Sequence, residues 1–352
     1  MIRTVLGDID PTQLGATNYH EHLFQVSPLL PGDELDDEAL SGAEAEGLRD
    51  SGFAAMVDAT PFGIGRDPEA VARIGAATGL HIVATTGRHR EAHYAPGHPI
   101  RTWDVDALTA LFVRDIVDGM PVDDAEVTFD AAQLRRSEAT RRAAPLGPRR
   151  VDPELRNCAG ESRAGALAVG PNGAPVRAGL LKGGIDYWRI SDFERTTLDA
   201  LAAAHRETGA PIMVHLEFCT AAHEVLDLLA AAGAASDRIV LAHADRDPDP
   251  GLHASLAERG AYLGYDGMAR PRTRSDAELL ALTAAVVERG VGDRVLLGGD
   301  VARRTRYLAY GGMPGLAYLG ERYVPRLRRL IGDEAVDRML IANPARLLAL
   351  SR

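Results

Sequence analysis

Six residues of the types that bind metal ions stand at or near the ends of apolar stretches along this chain. His20 and His22 follow a segment that reads as a strand, Leu14–Tyr19. Residues two apart in a strand point to the same face, so these two side chains could hold one ion. The other four stand at the C-terminal ends of later apolar stretches and are, in chain order, Lys182, His215, His243 and Asp300. Together they predict a hydrolase that uses two metal ions.

The apolar stretches alternate with helix-like segments, and this alternation predicts the fold. Short apolar runs occur at Phe53–Asp58, His81–Thr86 and Tyr262–Asp266, and capping-box sequences at Ser191–Glu194 and Ser275–Glu278 open helices. Counting every such run gives eight strands, which favours an α/β protein built as a single (β/α)8 TIM barrel. Active sites of such barrels lie at the C-terminal ends of the strands, where the six residues are expected to meet.

One segment interrupts the alternation. Between the third helix, Val105–Gly119, and the fourth strand lies an insertion over residues 122–177 that is rich in Arg, Ala, Gly and Pro. Because it joins a helix to the next strand, its ends are expected on the N-terminal face of the barrel, away from the chemistry. It is either a solvated insertion or a flap or oligomer contact. The whole chain, residues 1–352, is otherwise expected to be one barrel domain.

Composition narrows the class of protein. The chain has 46% hydrophobic and 25% charged residues, which is ordinary for a soluble enzyme with a full core. A net charge of −11 argues against a nucleic-acid partner, whose binding surface would be basic. The two cysteines form neither a metal motif nor a disulfide framework, so a reducing cytoplasm is expected. No apolar run approaches the roughly 18 residues of a membrane span, and no signal region precedes the first strand.

The chain resembles the phosphotriesterase family of the amidohydrolase superfamily over nearly its whole length, the insertion excepted. That family includes phosphotriesterases, lactonases and phosphorylated-sugar lactonases, and the tracts Tyr265–Gly267 and Asp300–Arg304 are more similar to the last group. The matching segments are Thr4–Asp8, His20–Leu23, Ile64–Asp67, Thr208–Ile212, Asp300, Tyr310–Gly315 and Asn343–Arg346.

The resemblance implies a site for two divalent ions, expected to be zinc, with manganese or cobalt as alternatives. The more buried ion would be held by His20, His22 and Asp300, and the more exposed one by His215 and His243. Two such ions share a water, lower its pKa and polarise the substrate oxygen. Asp300 would also accept the proton of the metal-bridging hydroxide and pass it to the leaving group.

Lys182 resembles the lysine that bridges both ions in this family after it reacts with carbon dioxide. Residue chemistry supports that role. An ammonium group cannot bind a cation and is costly to bury, whereas a carbamate is an anion with two oxygens suited to bridging. If Lys182 is considered without the other five ligands, the alternative interpretation is an ordinary lysine at a strand end whose side chain reaches solvent.

Residues expected to contact the substrate follow three of the strands. Arginines on the catalytic face would suit a phosphate or carboxylate, since guanidinium binds either in a bidentate manner. For any single arginine, a solvated surface charge is the competing interpretation. The candidates are His89, Arg90 and Tyr94 after the third strand, Tyr265, Arg270, Arg272 and Arg274 after the seventh, and Arg303 after the eighth.

The expected activity is hydrolysis of a lactone that carries an anionic substituent, with a small molecule as the partner and neither nucleic acid nor membrane. A homodimer is expected. Hydrolysis of an amide or a phosphoester is the alternative within enzymes, because the same metal centre could serve it. A metal-binding scaffold without catalytic activity is the alternative outside them, and it is disfavoured because all six ligand positions are intact.

Overall fold

Eight parallel strands form the central sheet of the protein, whose structure, a computed structural model, describes residues 1–127 and 165–351. Strands that follow each other along the chain are neighbours in the sheet. The strands are β3 (Thr17–Glu21), β4 (Ala55–Asp58), β5 (His81–Gly87), β6 (Leu180–Ile185), β7 (Ile212–Leu216), β8 (Ile239–Ala242), β9 (Tyr262–Tyr265) and β10 (Val295–Leu297), after an antiparallel hairpin of β1 (Ile2–Thr4) and β2 (Gly7–Ile9).

The sheet closes on itself, because the backbone N–H of Asp300, beyond the end of β10, donates to the carbonyl of His20 in β3 at 2.9 Å. The expected (β/α)8 TIM barrel is therefore confirmed.

Helices cover the outside of the barrel and connect its strands. Both capping boxes expected from the sequence are present, at Ser191 and Ser275. None of the helices in the described part of the chain is long and apolar enough to cross a bilayer. The helices are α1 (Glu38–Asp50), α2 (Pro68–Thr78), α3 (Val105–Val117), α4 (Asp192–Thr208), α5 (Ala222–Ala231), α6 (Pro250–Glu258), α7 (Asp276–Glu288), α8 (Val324–Ile331), α9 (Asp333–Asp337) and α10 (Asn343–Leu348).

The barrel interior is filled with apolar side chains below the candidate site. Val57, Leu180 and Val240 point inwards from three different strands and are buried. Leu347 and Leu348 of α10 contact this layer, so the C-terminal helix packs against the end of the barrel from which the strands begin. With that end filled, polar side chains have room only at the opposite end, where the strands terminate.

The described ends of the insertion do not lie where they were expected. The chain leaves α3 and reverses, and residues 120–122 pair with residues 166–176, as in the bond from Val122 N–H to the carbonyl of Ala166 (3.0 Å). Asp124 then accepts from the backbone N–H of Gly63 at 2.7 Å and from Arg66. Gly63 and Arg66 belong to the loop after β4, at the C-terminal ends of the strands.

The expectation of an N-terminal location is therefore wrong for these residues. The prediction assumed that the chain leaves the barrel where α3 ends, whereas Asp124 lies back beside the loop after β4. The arginine-rich tract Ala131–Arg150 lies outside the described residues.

Candidate metal centre

The six ligand-type residues meet at the C-terminal ends of their strands. Nε2 of His20 lies 3.1 Å from Nζ of Lys182 and 3.7 Å from Oδ1 of Asp300. Nδ1 of His215 lies 2.8 Å from Nε2 of His243, and the rings of His20 and His243 are 5.1 Å apart. Side chains from five strand ends thus form one continuous, buried polar cluster at the mouth of the barrel.

One half of this cluster forms a three-ligand group suited to a divalent ion. Ligand atoms of His20, His22 and Asp300 all lie within 4.8 Å of one another, and all three residues are buried. Nδ1 of His22 lies 2.8 Å from the hydroxyl of Thr60, so its Nε2 faces Oδ1 of Asp300 at 3.8 Å. Two imidazole nitrogens and a carboxylate oxygen are a donor set that zinc and related ions prefer.

The other half contains His215 and His243, whose ring nitrogens face each other. Burial lowers the pKa of His215 well below its usual value and that of His243 to about 3, so both rings are neutral at pH 7 with lone pairs available. Nε2 of His215 is buried and has no hydrogen-bond partner among the described residues. A buried, unpaired nitrogen is costly in a folded protein unless a ligand satisfies it. The residues present therefore fit a metal ion.

Asp266 connects the two halves. One carboxylate oxygen lies 2.6 Å from Nδ1 of His243, and the other lies 3.1 Å from Nδ1 of His20 and also accepts from the hydroxyl of Tyr19. An ionised carboxylate can only accept, so each histidine must carry its proton on Nδ1. Both Nε2 atoms are then left free to bind ions, which is the orienting role that outer carboxylates play at metal sites.

Asp266 was not among the site residues expected from the sequence. It stands directly after the apolar run of β9, in the same strand-end position that identified the other ligands. That position was the signal that could have found it.

Asp300 is held in an unusual backbone conformation by its neighbours. Its φ is 42°, a left-handed value that residues with a Cβ rarely adopt. The backbone N–H groups on either side are fixed, since Gly299 donates to Asn18 at 3.3 Å and Val301 donates to Glu21 at 2.9 Å. These bonds aim the carboxylate into the site and make Glu21, the residue between the two histidines, a structural support of the loop.

Two arginines set the charge of Asp300. Nη2 of Arg270 lies 2.6 Å from Oδ2, and Nη2 of Arg246 lies 3.4 Å from the same oxygen. Burial alone would raise the pKa of Asp300, but Arg270 together with His20 and His243 outweighs it and holds the pKa well below its usual range. The carboxylate is therefore ionised. Arg246, in the loop after β8, is a second residue of the site that the sequence reasoning missed.

Lys182 is the only lysine in the sequence, so the other 38 basic residues of Lys and Arg type are all arginine. Its side chain is fully buried, with Nζ 3.1 Å from Nε2 of His20 and 3.1 Å from Sδ of Met213. No carboxylate of the described residues lies within 4.0 Å of Nζ. Burial lowers the pKa of Lys182 to about 8, so a substantial fraction of the amine is neutral near physiological pH.

The residues expected to contact substrate after β5 lie close to the cluster but are held by other groups. His89 is buried, and its Nδ1 accepts from the backbone N–H of Arg90 at 2.7 Å. The ring of His89 lies 4.8 Å from that of His215. The hydroxyl of Tyr94 accepts from the N–H of His89 and donates to the carbonyl of Phe62, so Tyr94 supports the loop from behind.

Tyr265 points away from the cluster. It is buried between the sheet and α6, where its hydroxyl lies 2.5 Å from Nδ1 of His253. Neighbouring residues in a strand face opposite sides, so the inward direction of Asp266 turns Tyr265 outward.

The four arginines differ in what they contact. Arg270 reaches Asp300, as described above. Arg274 donates to the backbone carbonyls of Asp245 and Arg246 at 2.9 and 3.2 Å, which holds the loop after β9 in place. Arg303 lies 3.4 Å from Asp33 and is half exposed, whereas Arg272 is exposed. Arg270 and Arg303 thus remain the better placed to meet a substrate anion.

A closed eight-stranded barrel whose mouth holds histidine-rich groups suited to metal ions, a strand-end lysine and an ionised aspartate has the architecture of a metal-dependent hydrolase. Comparison with known proteins narrows the class. The model of the phosphotriesterase family matches residues 1–131 and 165–348. The chain therefore belongs to the phosphotriesterase family, as its resemblance had implied.

Three known proteins illustrate the range of the chain's relatives. A phospho-furanose lactonase from Mycoplasmopsis synoviae is 27% identical over 99% of this chain and 91% of its own length. An N-acetyltaurine hydrolase from Danio rerio is 25% identical over 99% of this chain and 97% of its own length. The crystal structure of a lactonase from Listeria monocytogenes has a TM-score of 0.80 and 28% identity, covering 100% of this chain and 99% of that one.

Proposed function

We propose that the protein hydrolyses a lactone that carries a phosphate or carboxylate substituent. The observation that carries this proposal is the ionised Asp300, whose Oδ1 faces His20 and His22 of one candidate metal group and whose Oδ2 faces Arg270. Relatives named for the hydrolysis of phosphorylated furanose lactones support the substrate class.

The proposal includes two divalent ions, zinc in the first instance, and a carbamate on Lys182. When bound, such ions lower the pKa of a water molecule and polarise the carbonyl oxygen of the substrate. The single lysine of an otherwise arginine-only chain supports the carbamate. Guanidinium stays protonated at any ordinary pH, whereas the buried amine of Lys182, with a pKa of about 8, can react with carbon dioxide.

Asp300 would act as the proton carrier. Oδ2 is held by Arg270 at 2.6 Å, which leaves Oδ1, facing His20 at 3.7 Å, to accept the proton of the attacking hydroxide. The same oxygen then passes that proton to the ring oxygen as the ester bond breaks, and the products are a carboxylate and an alcohol. Burial excludes bulk water from this transfer and strengthens the charge interactions within the site.

Arg270 and Arg303 would bind the anionic substituent on the side of the mouth formed by the loops after β9 and β10. Replacing either by alanine removes a charge-assisted pair worth about 1.5–3 kcal/mol, or roughly ten- to a hundredfold in kcat/KM. For Arg303→Ala the loss should be confined to an anionic substrate, because an unphosphorylated lactone with the same ring does not use that pair. Arg270→Ala also removes the group that holds Oδ2 of Asp300, so it should lower kcat/KM for both substrates and lower it further for the anionic one.

The test compares kcat/KM of each variant for matched phosphorylated and unphosphorylated lactones. Arg329→Ala, at an exposed position of α8, is the matched control and should change neither value. Arg272→Ala and Arg274→Ala complete the series, and the backbone contacts of Arg274 predict that its removal affects both substrates alike. Equal losses on both substrates for Arg303→Ala, with no larger loss on the anionic substrate for Arg270→Ala, would contradict the anionic-substrate proposal.

Hydrolysis of an amide is the second candidate, and a specific observation favours it. Relatives named N-acetyltaurine hydrolase match this chain at 25% identity over nearly its whole length. N-acetyltaurine is an amide with a sulfonate group, so Arg270 and Arg303 would serve it equally well. Assaying the metal-loaded protein on N-acetyltaurine beside the lactones decides between the two, and turnover of the amide alone would overturn the lactonase assignment.

The homodimer expected from the sequence remains part of the proposal, as does a location in the cytoplasm. Sedimentation velocity of the purified protein tests the first of these, and a monomer at micromolar concentration would contradict it.

A further inference from the structure

The only exposed aromatic side chains in the described part of the chain lie together beside the metal centre. Tyr187 and Trp188 are 59% and 69% exposed in the loop after β6, and Phe218 is 47% exposed in the loop after β7. The rings of Tyr187 and Phe218 are 6.2 Å apart and nearly perpendicular. We refer to these three residues as the aromatic platform. Clustered exposed aromatics are unusual on a soluble surface unless they bind something.

The backbone beneath the platform is held in a disfavoured conformation. Trp188 has a φ of 49° and Phe218 a φ of 54°, both left-handed, which bulky residues adopt only under constraint. The two loops are joined by a hydrogen bond from the backbone N–H of Trp188 to the hydroxyl of Thr220 at 3.0 Å. The loops therefore hold these rings at the surface at a cost in stability, as happens at functional sites.

A chain of polar contacts links the platform to the metal centre. Nε2 of His215 lies 3.8 Å from Glu217, Glu217 lies 3.3 Å from Arg90, and Arg90 lies 3.3 Å from Asp186, the residue before Tyr187. Phe218 is only three residues after His215, a separation of at most about 11 Å. Phe218 is thus near enough to the ligand cluster to contact another part of a substrate bound there.

Trp188 of the platform lies across the mouth from Arg303. Trp188 follows β6 and Arg303 follows β10, and strands four places apart in an eight-stranded barrel lie on opposite sides. A lactone over the metal centre would therefore have one substituent near the arginines and another near the platform. The platform offers ring faces flanked by the charged groups of Arg90 and Asp186, which suits a flat ring with hydroxyl or other polar edges.

We propose that the aromatic platform is a second substrate subsite, which stacks against a ring carried by the lactone on the side away from its anionic group. This inference rests on the proposed lactonase function and adds to its substrate class. The shared chemistry is an apolar ring face, which a sugar or an aryl group could supply.

The test uses three lactones of identical ring that differ in one substituent, which is methyl, phenyl or glucosyl. Trp188→Ala and Phe218→Ala should each lower kcat/KM for the ring-bearing substrates by roughly five- to tenfold, with the methyl lactone changed less than twofold. The phenyl and glucosyl arms show which ring is used. Leu330→Ala, an exposed apolar residue of α8, is the control and should change none of the three values.

Fluorescence gives a readout that does not depend on turnover. The protein has two tryptophans, Trp103 and Trp188, so Trp103→Phe leaves Trp188 as the sole tryptophan fluorophore. The ring-bearing hydroxy acids, products of the same lactones, should change its emission on binding, and the methyl hydroxy acid should not. If no lactone is hydrolysed, the proposed function fails, and this titration still decides whether the platform binds a ring.

Two outcomes would overturn the proposal. Equal effects of Trp188→Ala on all three lactones, with unchanged emission on titration, would show that the platform does not contact substrate. A lower sedimentation coefficient for Trp188→Ala and Phe218→Ala than for the wild type, with no selectivity between lactones, would show instead that the platform is a contact between two copies of the chain.

Discussion

Replacing Asp266 by asparagine should weaken one metal position more than the other. The carboxylate accepts from Nδ1–H of His243 at 2.6 Å and of His20 at 3.1 Å, which leaves both Nε2 atoms free. Asparagine has a single acceptor oxygen, so one histidine must face its NH2 group. Since that group donates, the histidine facing it would have to carry its proton on Nε2, the atom that should bind the ion.

Tyr19 decides which histidine is affected. Its hydroxyl donates to the same carboxylate oxygen that faces His20. The hydroxyl keeps its acceptor only if the amide oxygen of asparagine takes that place, which turns the NH2 group towards His243. Loss of an outer partner of this kind costs about ten- to a hundredfold in metal affinity, or about 1.4–2.7 kcal/mol. The ion held by His215 and His243 should therefore weaken by that factor, while the other changes little.

Competition with a chelator, followed by measurement of the metal bound per chain, gives the two affinities. Asp245→Asn is the matched control, because Asp245 is buried nearby but accepts only from the backbone N–H groups of Asp266 and Gly267, which asparagine can also satisfy. Wild-type affinities at both positions in Asp266→Asn would refute the orienting role. Equal weakening of both positions would refute the argument from Tyr19.

Three further outcomes are expected. Lys182→Ala should lower metal content below two ions per chain and abolish activity, and two bound ions with full turnover would rule out a bridging carbamate. Burial lowers the pKa of Lys182 to about 8, so the neutral amine grows as the pH rises through that value. At equal concentrations of dissolved carbon dioxide, metal-free protein should therefore recover activity with zinc faster at pH 8.5 than at pH 6.5, and equal rates would contradict this. Asp124→Asn removes one of the two carboxylates paired with the buried Arg66, and Asp115 remains as the other, so it should lower the free energy of unfolding by about 1–3 kcal/mol in denaturant, whereas the exposed Asp106→Asn should change it little.

The barrel and the ligand positions could be predicted because they depend on local pattern. Apolar runs of strand length separated by capped helices specify the order of elements, and a parallel barrel brings the strand ends to one place. The position of His215 and Lys182 at the mouth of the barrel could be predicted from that reasoning without knowledge of any contact. Nothing more than the sequence period and the topology was needed for this part of the site.

The other features of the site depend on contacts between residues that are far apart in the sequence, and a local pattern does not predict such contacts. The carboxylate of Asp266 contacts His243, 23 residues away, and His20, 246 residues away. The side-chain direction of Tyr265 follows from which face of β9 is inside. The location of the insertion was mispredicted because the chain was assumed to leave the barrel at the end of helix α3. No local sequence pattern predicts the long-range interactions of this segment. These are the pairing of residues 120–122 with residues 166–176 and the contact of Asp124 with Arg66.

Because the chain has a single lysine, proteolysis at that residue can be used to measure unfolding of the barrel. A protease that cleaves only after lysine has one target in the entire chain, the bond between Lys182 and Gly183, and that bond lies within β6 in the wall of the barrel. The intact barrel shields it, so cleavage requires that the barrel open, and its rate follows the population of the open form when opening and closing are fast. Two fragments of defined size would then report barrel stability directly. Metal binding should slow their appearance in proportion to the stabilisation that it provides.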